Sequence, residues 1–333
     1  MRDGGDGMRA AVQDEYGPPD VVAVRDVDKP RPGPRQLLVQ VHATTVNRTD
    51  CGFRAASPPI VRLFSGLRRP RAKILGNEFA GVVEDAGPDV TRFRVGDRVF
   101  GYIEGPFGGH AEYVVVGDDA SIATIPTNVT FEQAAAGTEG SHYALAYIRA
   151  GGVGPGTDVM VYGATGAIGS AAVQIIEHLG ANVTAVCATD HLELVAGLGA
   201  DRVVDHTAED ITQDEQRYDV VLDAVGKSTF GRCKRLLKPR GLYMSTDLGP
   251  FAQNPLLALV TALGRGRRVK FPIPKHDRVM IEYLRNLMAS GAFTPVIDRT
   301  YPLDRIVEAY EYVETGQKIG NVVITVAPAG PAV

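Results

Sequence analysis

Cysteine is scarce: Cys51, Cys187 and Cys233 are the only three in 333 residues. That is too few for a disulfide framework, and it excludes a zinc site built from four cysteines. A reducing, cytoplasmic setting is the expectation. Long apolar runs are also missing. The longest, residues 256–260 and their neighbours, is broken by Pro255, Thr261 and Gly264, far short of the ~20 residues a membrane helix needs. The N-terminus carries no apolar signal region; MRDGGDG (1–7) reads as a flexible tail, with Met8 as an alternative start. Nor does one charge dominate. Thirty-five Lys and Arg against 39 Asp and Glu leave a net charge of −4. This excludes both a global basic field for nucleic acid and a strongly acidic, disordered chain.

What remains is an ordinary globular composition, 44% hydrophobic and 22% charged, with length for about two domains at roughly 150 residues each. Up to about Thr130 the pattern is short β-rich runs: LLVQVHATTV (37–46), AGVVEDAG (80–87), DRVFGY (97–102) and AEYVVV (111–116). Gly and Pro turns separate them, which predicts a small antiparallel barrel or sandwich. From Phe131 strands alternate with helices: DVMVYG (158–163), a helix from Ala167 to Leu179, VTAVC (183–187), RVVDH (202–206), DVVLDAVG (219–226) and GLYMSTD (241–247). That alternation predicts a parallel, doubly wound sheet. From about Lys275 the character is mixed again, with helices near 277–290 and 303–314 and a last strand, NVVITV (321–326).

The most informative local motif is VYGATGAIGSAAVQ, with Gly163, Gly166 and Gly169 between a strand and a helix. Glycine lets the backbone approach a pyrophosphate, and the helix N-terminus offers free N–H groups to the anion. Thr165, Ala167 and Ile168 complete the loop. The spacing is G-x-x-G-x-x-G, so it departs from G-x-G-x-x-G, and a plain structural turn is the bland alternative. A short-chain dehydrogenase would need a Tyr-x-x-x-Lys pair, and none of the 12 tyrosines has Lys four residues later.

VNRTD (46–50), LGNEFAGVVEDAGPDVTRFRVGDRV (75–99), LGADRVVDHTAED (198–210) and GQKIGNVVI (316–324) together resemble the medium-chain dehydrogenase/reductase superfamily, in its zinc-free quinone oxidoreductase branch. The resemblance runs over nearly the whole chain from Met8. It implies an α/β protein with a GroES-like β-barrel catalytic domain (8–130 and 275–333) and a doubly wound Rossmann nucleotide-binding domain (131–274), with the active site in the cleft between them. Zinc-dependent relatives carry Cys and His where this chain has Asn47 and Asn77, and neutral amides are poor zinc ligands. No zinc is therefore expected. Without a strong Lewis acid, hydride transfer is easiest to an activated acceptor, a quinone or an α,β-unsaturated carbonyl.

The resemblance places Asn47 and Asp50 at the cleft, Asn47 as a donor to a substrate oxygen and Asp50 as an orienting acceptor. The polar run TEGSHY (138–143) adds Thr138, Glu139 and His142 as candidates for proton traffic; alternatively Ser141 starts a helix. Thr189, His191, Val225, Gly226 and Asn321 join the loop residues as cofactor contacts. NADPH over NADH is what the resemblance chiefly implies, in keeping with no acid at the end of the second strand at Cys187, room for a 2′-phosphate at Thr189 and His191 to attract it; Asp190 argues the other way or simply caps a helix. Between Arg54 and Lys73 lie six basic residues and no acid, with Ile60, Leu63, Phe64 and Leu67 on one face of a predicted short helix. A substrate-pocket lid is the leading reading of this insert, ordinary packing the second, and membrane contact the least favoured. Neither this run nor RGRRVK (265–270) interleaves aromatics for base stacking, so no nucleic acid is expected. A homodimer through the edge strand RRVKF (267–271) follows from the resemblance. A catalytically silent nucleotide-binding protein of the same fold is the competing reading.

Overall fold

The computed structural model describes residues 7–326. The tail read as flexible lies outside the described residues except for Gly7, which opens the first strand, Gly7–Gln13. The chain divides into two compact units. One holds the chain up to Glu139, His276–Ser290 and everything from Val296 onward; the other holds Gly140–Lys275 and Gly291–Pro295. Among the described residues no helix is long and apolar enough to cross a membrane.

The first unit is built around the long strand Gln36–Val46. One edge carries Glu78–Ala86, antiparallel, with two register shifts. The other edge is shared. Residues 36–40 pair with Tyr113–Gly117, and residues 43–46 pair with Asn321–Thr325 near the end of the described chain. Bulges of this kind bend a strand and strengthen its twist. The sheet continues to Arg98–Tyr102 and Ser121–Thr124 on one side and to Ile297–Pro302 on the other. Alternate residues Leu37, Val39 and Val41 meet Phe79, Val83, Val99 and Ile122 in a closed apolar core, as a period of two requires. A separate pair, Gly7–Gln13 with Val22–Asp28, lies beside them. Two antiparallel strands here, 7–13 and 22–28, and the strand Ile297–Pro302 were not marked by the sequence pattern.

The second unit is one six-stranded sheet, every pairing parallel. Across the sheet the order is Arg202–Asp205, Asn182–Cys187, Asp158–Tyr162, Tyr218–Asp223, Leu237–Ser245 and Arg268–Lys270. In sequence order that is 3-2-1-4-5-6, the doubly wound dinucleotide-binding arrangement. Near-continuous apolar strands such as DVVLD are what a sheet covered on both faces needs. The topology reverses between Asp158–Tyr162 and Tyr218–Asp223, so the ligand crevice of such a sheet falls at their C-terminal ends.

Two expectations change. The apolar stripe of the basic insert does not pack as a helix face. The helix is only Val61–Ser65, ended by Gly66 at φ +123. Ile60, Leu63, Phe64 and Leu67 are 57%, 62%, 73% and 68% exposed. Arg54, counted with that solvated run, is instead buried: its guanidinium contacts the Gly17 carbonyl and the Glu314 carboxylate and lies 5.2 Å from the Tyr310 ring centre.

Candidate active site

The phosphate loop is positioned by the strand Asp158–Tyr162 and the helix Ala167–His178. No side chain caps that helix; Gly166 is its N-cap residue. The first N–H groups, of Ala167, Ile168 and Gly169, therefore lack intrahelical acceptors. A Cβ on Gly169 would lie 2.1 Å from the Gly163 carbonyl oxygen, so only glycine fits there. At Gly166 the case differs. A Cβ would meet nothing nearer than 3.8 Å, and φ is −71. The space over Gly166 is an open cradle before an uncapped helix, and it fits a pyrophosphate. The Val225 side chain packs 2.5 Å from the Cβ position of Gly163, so the loops after the first and fourth strands of this sheet meet. Gly226 follows at φ +66, packed against Asp247.

Just beyond the strand Asn182–Cys187, the Thr189 hydroxyl donates to Asp205 at 2.5 Å and lies 2.7 Å from the Thr207 hydroxyl. Those hydroxyls hold the Asp205 carboxyl well below its usual range. Asp205 was not among the residues read from the sequence; its place in VVDH at the end of a strand was the available signal. Asn321 lies in the first unit, and its side-chain N–H donates to the Val296 carbonyl at 3.0 Å.

The first unit gathers most of the expected catalytic residues in one buried polar network. Asn47 caps the helix Arg48–Ala55 in a capping box with Asp50. The Asp50 N–H donates to Asn47 Oδ1 at 3.0 Å, and the Asn47 N–H donates to Asp50 Oδ2 at 3.2 Å. Asp50 Oδ1 also accepts from the Gly76 N–H at 3.1 Å. Asp50 thus fixes two backbone segments. Complete burial raises its carboxyl to about 8, against the lowering effect of those N–H groups.

Asn47 Nδ2 donates to Asn77 Oδ1 at 2.7 Å, and Asn77 Nδ2 donates to Glu139 Oε2 at 2.8 Å. Thr49 closes the chain onto Glu139 Oε1 at 2.6 Å. Glu139 is pushed well above the carboxylate range, first by burial, then by the nearby Glu78 and Asp50. Glu78 accepts from Thr45, from the Thr138 hydroxyl at 2.6 Å, from the Glu139 N–H at 2.5 Å and from Asn47 at 3.4 Å. The half-buried Lys318 has its ammonium lowered by burial, opposed by Glu139 and Glu78.

His110 is a further member that sequence reasoning passed over. Its Nε2–H donates to the Thr45 carbonyl at 2.7 Å, and its Nδ1 accepts from the Tyr310 hydroxyl at 3.3 Å. Burial lowers it to about 4, so the ring is neutral. Glu78 was passed over as well; the one available signal was an acid opening the apolar strand in GNEFAGVV. His110 and Tyr310, 200 residues apart, had no such signal.

His142 belongs to the second unit, buried on the helix Glu139–Gly151 with its ring 4.7 Å from that of Tyr143. Ser141 does not start this helix; Glu139 does.

The two positions that hold Cys and His in zinc-dependent relatives carry amides engaged with each other. Among the described residues no group of three or more His, Cys, Asp or Glu side chains is arranged for a metal ion.

Residues 33–127 match the family described as "Alcohol dehydrogenase GroES-like domain", and residues 198–324 match "Zinc-binding dehydrogenase". The chain is 30% identical over 337 residues to an NADPH-dependent alkenal/one oxidoreductase of Arabidopsis thaliana, covering 96% of this chain and 80% of the relative. It is 32% identical over 330 residues to a quinone oxidoreductase of Pseudomonas aeruginosa, covering 93% and 97%. Among solved structures, the quinone oxidoreductase from Coxiella burnetii superposes with a TM-score of 0.85 at 26% identity, covering 96% of this chain and all of the other. Joined to the strand order, the glycine loop and the amide pair, these likenesses identify the chain as a member of the medium-chain dehydrogenase/reductase superfamily, in its quinone oxidoreductase-like branch.

Proposed function

We propose that this chain is an NAD(P)H-dependent oxidoreductase that reduces a quinone or an α,β-unsaturated carbonyl without a metal ion. The observation that carries this reading is the Asn47–Asn77 hydrogen bond, set where a metal would otherwise polarise the substrate. An activated acceptor needs only orientation and a proton, which hydrogen-bond donors can supply.

A nicotinamide cofactor would, when bound, be the source of the hydride. The N–H groups of Ala167 and Ile168 and the open space over Gly166 would hold its pyrophosphate. In the first unit, Asn47 and Thr49 are the half-buried members of the network and meet the acceptor oxygen. Glu139 stores the proton. In its protonated form it donates to Thr49 Oγ1, and the Thr49 hydroxyl hydrogen turns to the substrate. Asp50, Thr138 and Glu78 are positioning residues: they hold the backbone and side chains of the donors. His142 has no assigned step.

NADPH is the preferred cofactor in this reading, on the strength of Thr189 and His191. Asp190 and Asp205 place two carboxylates at the same corner, so the preference is expected to be modest, under about tenfold. Dissociation constants for NADPH and NADH in the wild type and in Asp190→Arg test it, and tighter NADH binding would reject it. Homodimer formation through Arg268–Lys270, the sheet's edge strand, and cytoplasmic residence, in keeping with three buried free cysteines, belong to the same reading. Light scattering at monomer mass would reject the dimer.

The chemical test is Glu139→Gln. It keeps the hydrogen-bonding shape and removes the proton. Loss of a positioned general acid typically costs about 10²-fold or more, so kcat with an enone should fall by about that factor while NADPH binding is unchanged. An unchanged kcat would remove Glu139 from the mechanism.

A further inference from the structure

The first unit contains a cavity of about 530 Å³, within the range of small-molecule sites. Phe53, Phe64, Leu75 and Phe107 give it an apolar lining, and Arg71 and Glu104 put one charge of each sign on its wall. The Phe53 and Phe107 rings meet edge to face at 4.8 Å. Phe64 and Arg71 come from the basic insert, which therefore forms one wall of the cavity.

Gln13 also lines it, and Gln13 is the anomaly. The residue is 1% exposed, yet neither its side-chain nitrogen nor its side-chain oxygen has a hydrogen-bond partner. Its backbone is fixed, with its N–H on the Lys73 carbonyl at 2.8 Å and its place opposite Val22 in the strand pair. An amide shut off from water with both ends unpaired destabilises the protein that carries it, where a leucine of similar volume would not. A ligand oxygen arriving there has no water to displace from the amide.

The cavity adjoins the polar network along the chain, through Leu75, Gly76 and Asn77. A second link runs through the Tyr102 hydroxyl, which donates to Glu104 at 2.9 Å and lies 3.5 Å from Asn77 Nδ2.

We propose that this cavity binds a neutral bicyclic or aryl-substituted carbonyl compound, its rings among Phe53, Phe64 and Phe107 and one oxygen on the Gln13 amide. Naming the ligand as a hydride acceptor rests on the reductase reading; the binding itself does not. The acceptors reduced are then ring-bearing quinones and enones rather than small open-chain ones.

Two measurements separate these claims. In the first, cofactor-free protein is titrated with 1-tetralone and with tetralin, which differ by one carbonyl. Wild type should bind 1-tetralone at least tenfold more tightly. In Gln13→Leu that difference should vanish while the melting temperature rises, a pairing that a merely structural glutamine would not produce. Gln13→Met serves if the leucine variant fails to fold. Ala72→Phe, which fills the cavity, should abolish binding of both. Equal binding of the two compounds by wild type, an undiminished preference in Gln13→Leu, or undiminished binding in Ala72→Phe would overturn the proposal. In the second, KM for 1,4-naphthoquinone should lie at least tenfold below that for 1,4-benzoquinone. Turnover of both with equal KM overturns the site and leaves the reductase reading; tight tetralone binding with no turnover of either quinone overturns the reductase reading and leaves the site.

Discussion

Asn47 donates through its side-chain nitrogen to the side-chain oxygen of Asn77 at 2.7 Å. Thirty residues separate them, one at the start of a helix and one just before a strand. Each amide is oriented by a further partner: Asn47 by the Asp50 N–H and Asn77 by Glu139. Amides committed in this way offer no thiolate and no imidazole to a metal. Chelator-washed protein should contain no stoichiometric zinc by elemental analysis and should keep its activity. One zinc per chain would contradict this. Asn77→Ala leaves Glu139 and Asn47 each short of a buried partner, which should cost about 1–3 kcal/mol of stability, read as a lower denaturant midpoint.

The pH dependence of stability follows from Asp50 and His110. The folded protein keeps a proton on Asp50 up to about 8, whereas the unfolded chain releases it near 3.8. Between those values the folded state binds more protons, so this contribution falls as pH rises. His110 works in the opposite direction between about 4 and 6.5, where the unfolded chain holds the extra proton. Above pH 6.5 the His110 effect is gone and the raised carboxyls remain, Asp50 and beside it Glu139. Stability should decline from pH 6.5 to 8, by at most ~1.4 kcal/mol per pH unit for one group. Asp50→Asn should flatten that decline in a urea-denaturation series. The same slope in both proteins would show that Asp50 is not the group responsible.

Gly166→Ala separates the cofactor loop from the fold. The new methyl meets only ordinary contacts at 3.8 Å and beyond, so the melting temperature should move little. The methyl occupies the cradle before the helix N-terminus, and NADPH affinity should fall about tenfold or more, a loss of roughly 1.4 kcal/mol. Unchanged affinity by titration would show that the pyrophosphate lies elsewhere.

Arg54→Met tests the buried cation. Removing it leaves the Gly17 carbonyl and Glu314 without their donor. Breaking a buried pair costs about 3–5 kcal/mol, but the Glu314 side chain is 36% exposed, so a loss of about 2 kcal/mol is expected, as a drop of several degrees in thermal melting. A loss under about 0.5 kcal/mol would mean that the guanidinium is solvated in solution.

Much of the architecture was written in local patterns. Runs such as DVMVYG and DVVLDAV, each set off by a turn and a helix, announce buried parallel strands, whereas the 3-2-1-4-5-6 order is seen only in the fold. The glycine loop was legible because the requirement is local: the backbone of Gly163 must pass Gly169 at close range. The polar network was legible only in pieces. Asn47, Asp50, Thr138 and Glu139 stood in recognisable motifs, but their joining depends on strand pairing between residues far apart. Glu78 is the hub of four donors and looked like an ordinary strand residue. His110 and Tyr310 meet across the unit with no shared motif. The stripe Ile60, Leu63, Phe64 and Leu67 had helical spacing, yet Gly66 stops the helix and no described residue buries the stripe. Spacing reports a helix's face, not whether another element arrives to bury it.

The most direct test of a metal-free reductase is NADPH oxidation in chelator-treated, anaerobic buffer, with a quinone, an enone and a simple ketone offered side by side. Oxidation with the quinone or the enone, none with the ketone, and no gain on adding zinc is the predicted result. Ketone reduction that appears only when zinc is restored would contradict it.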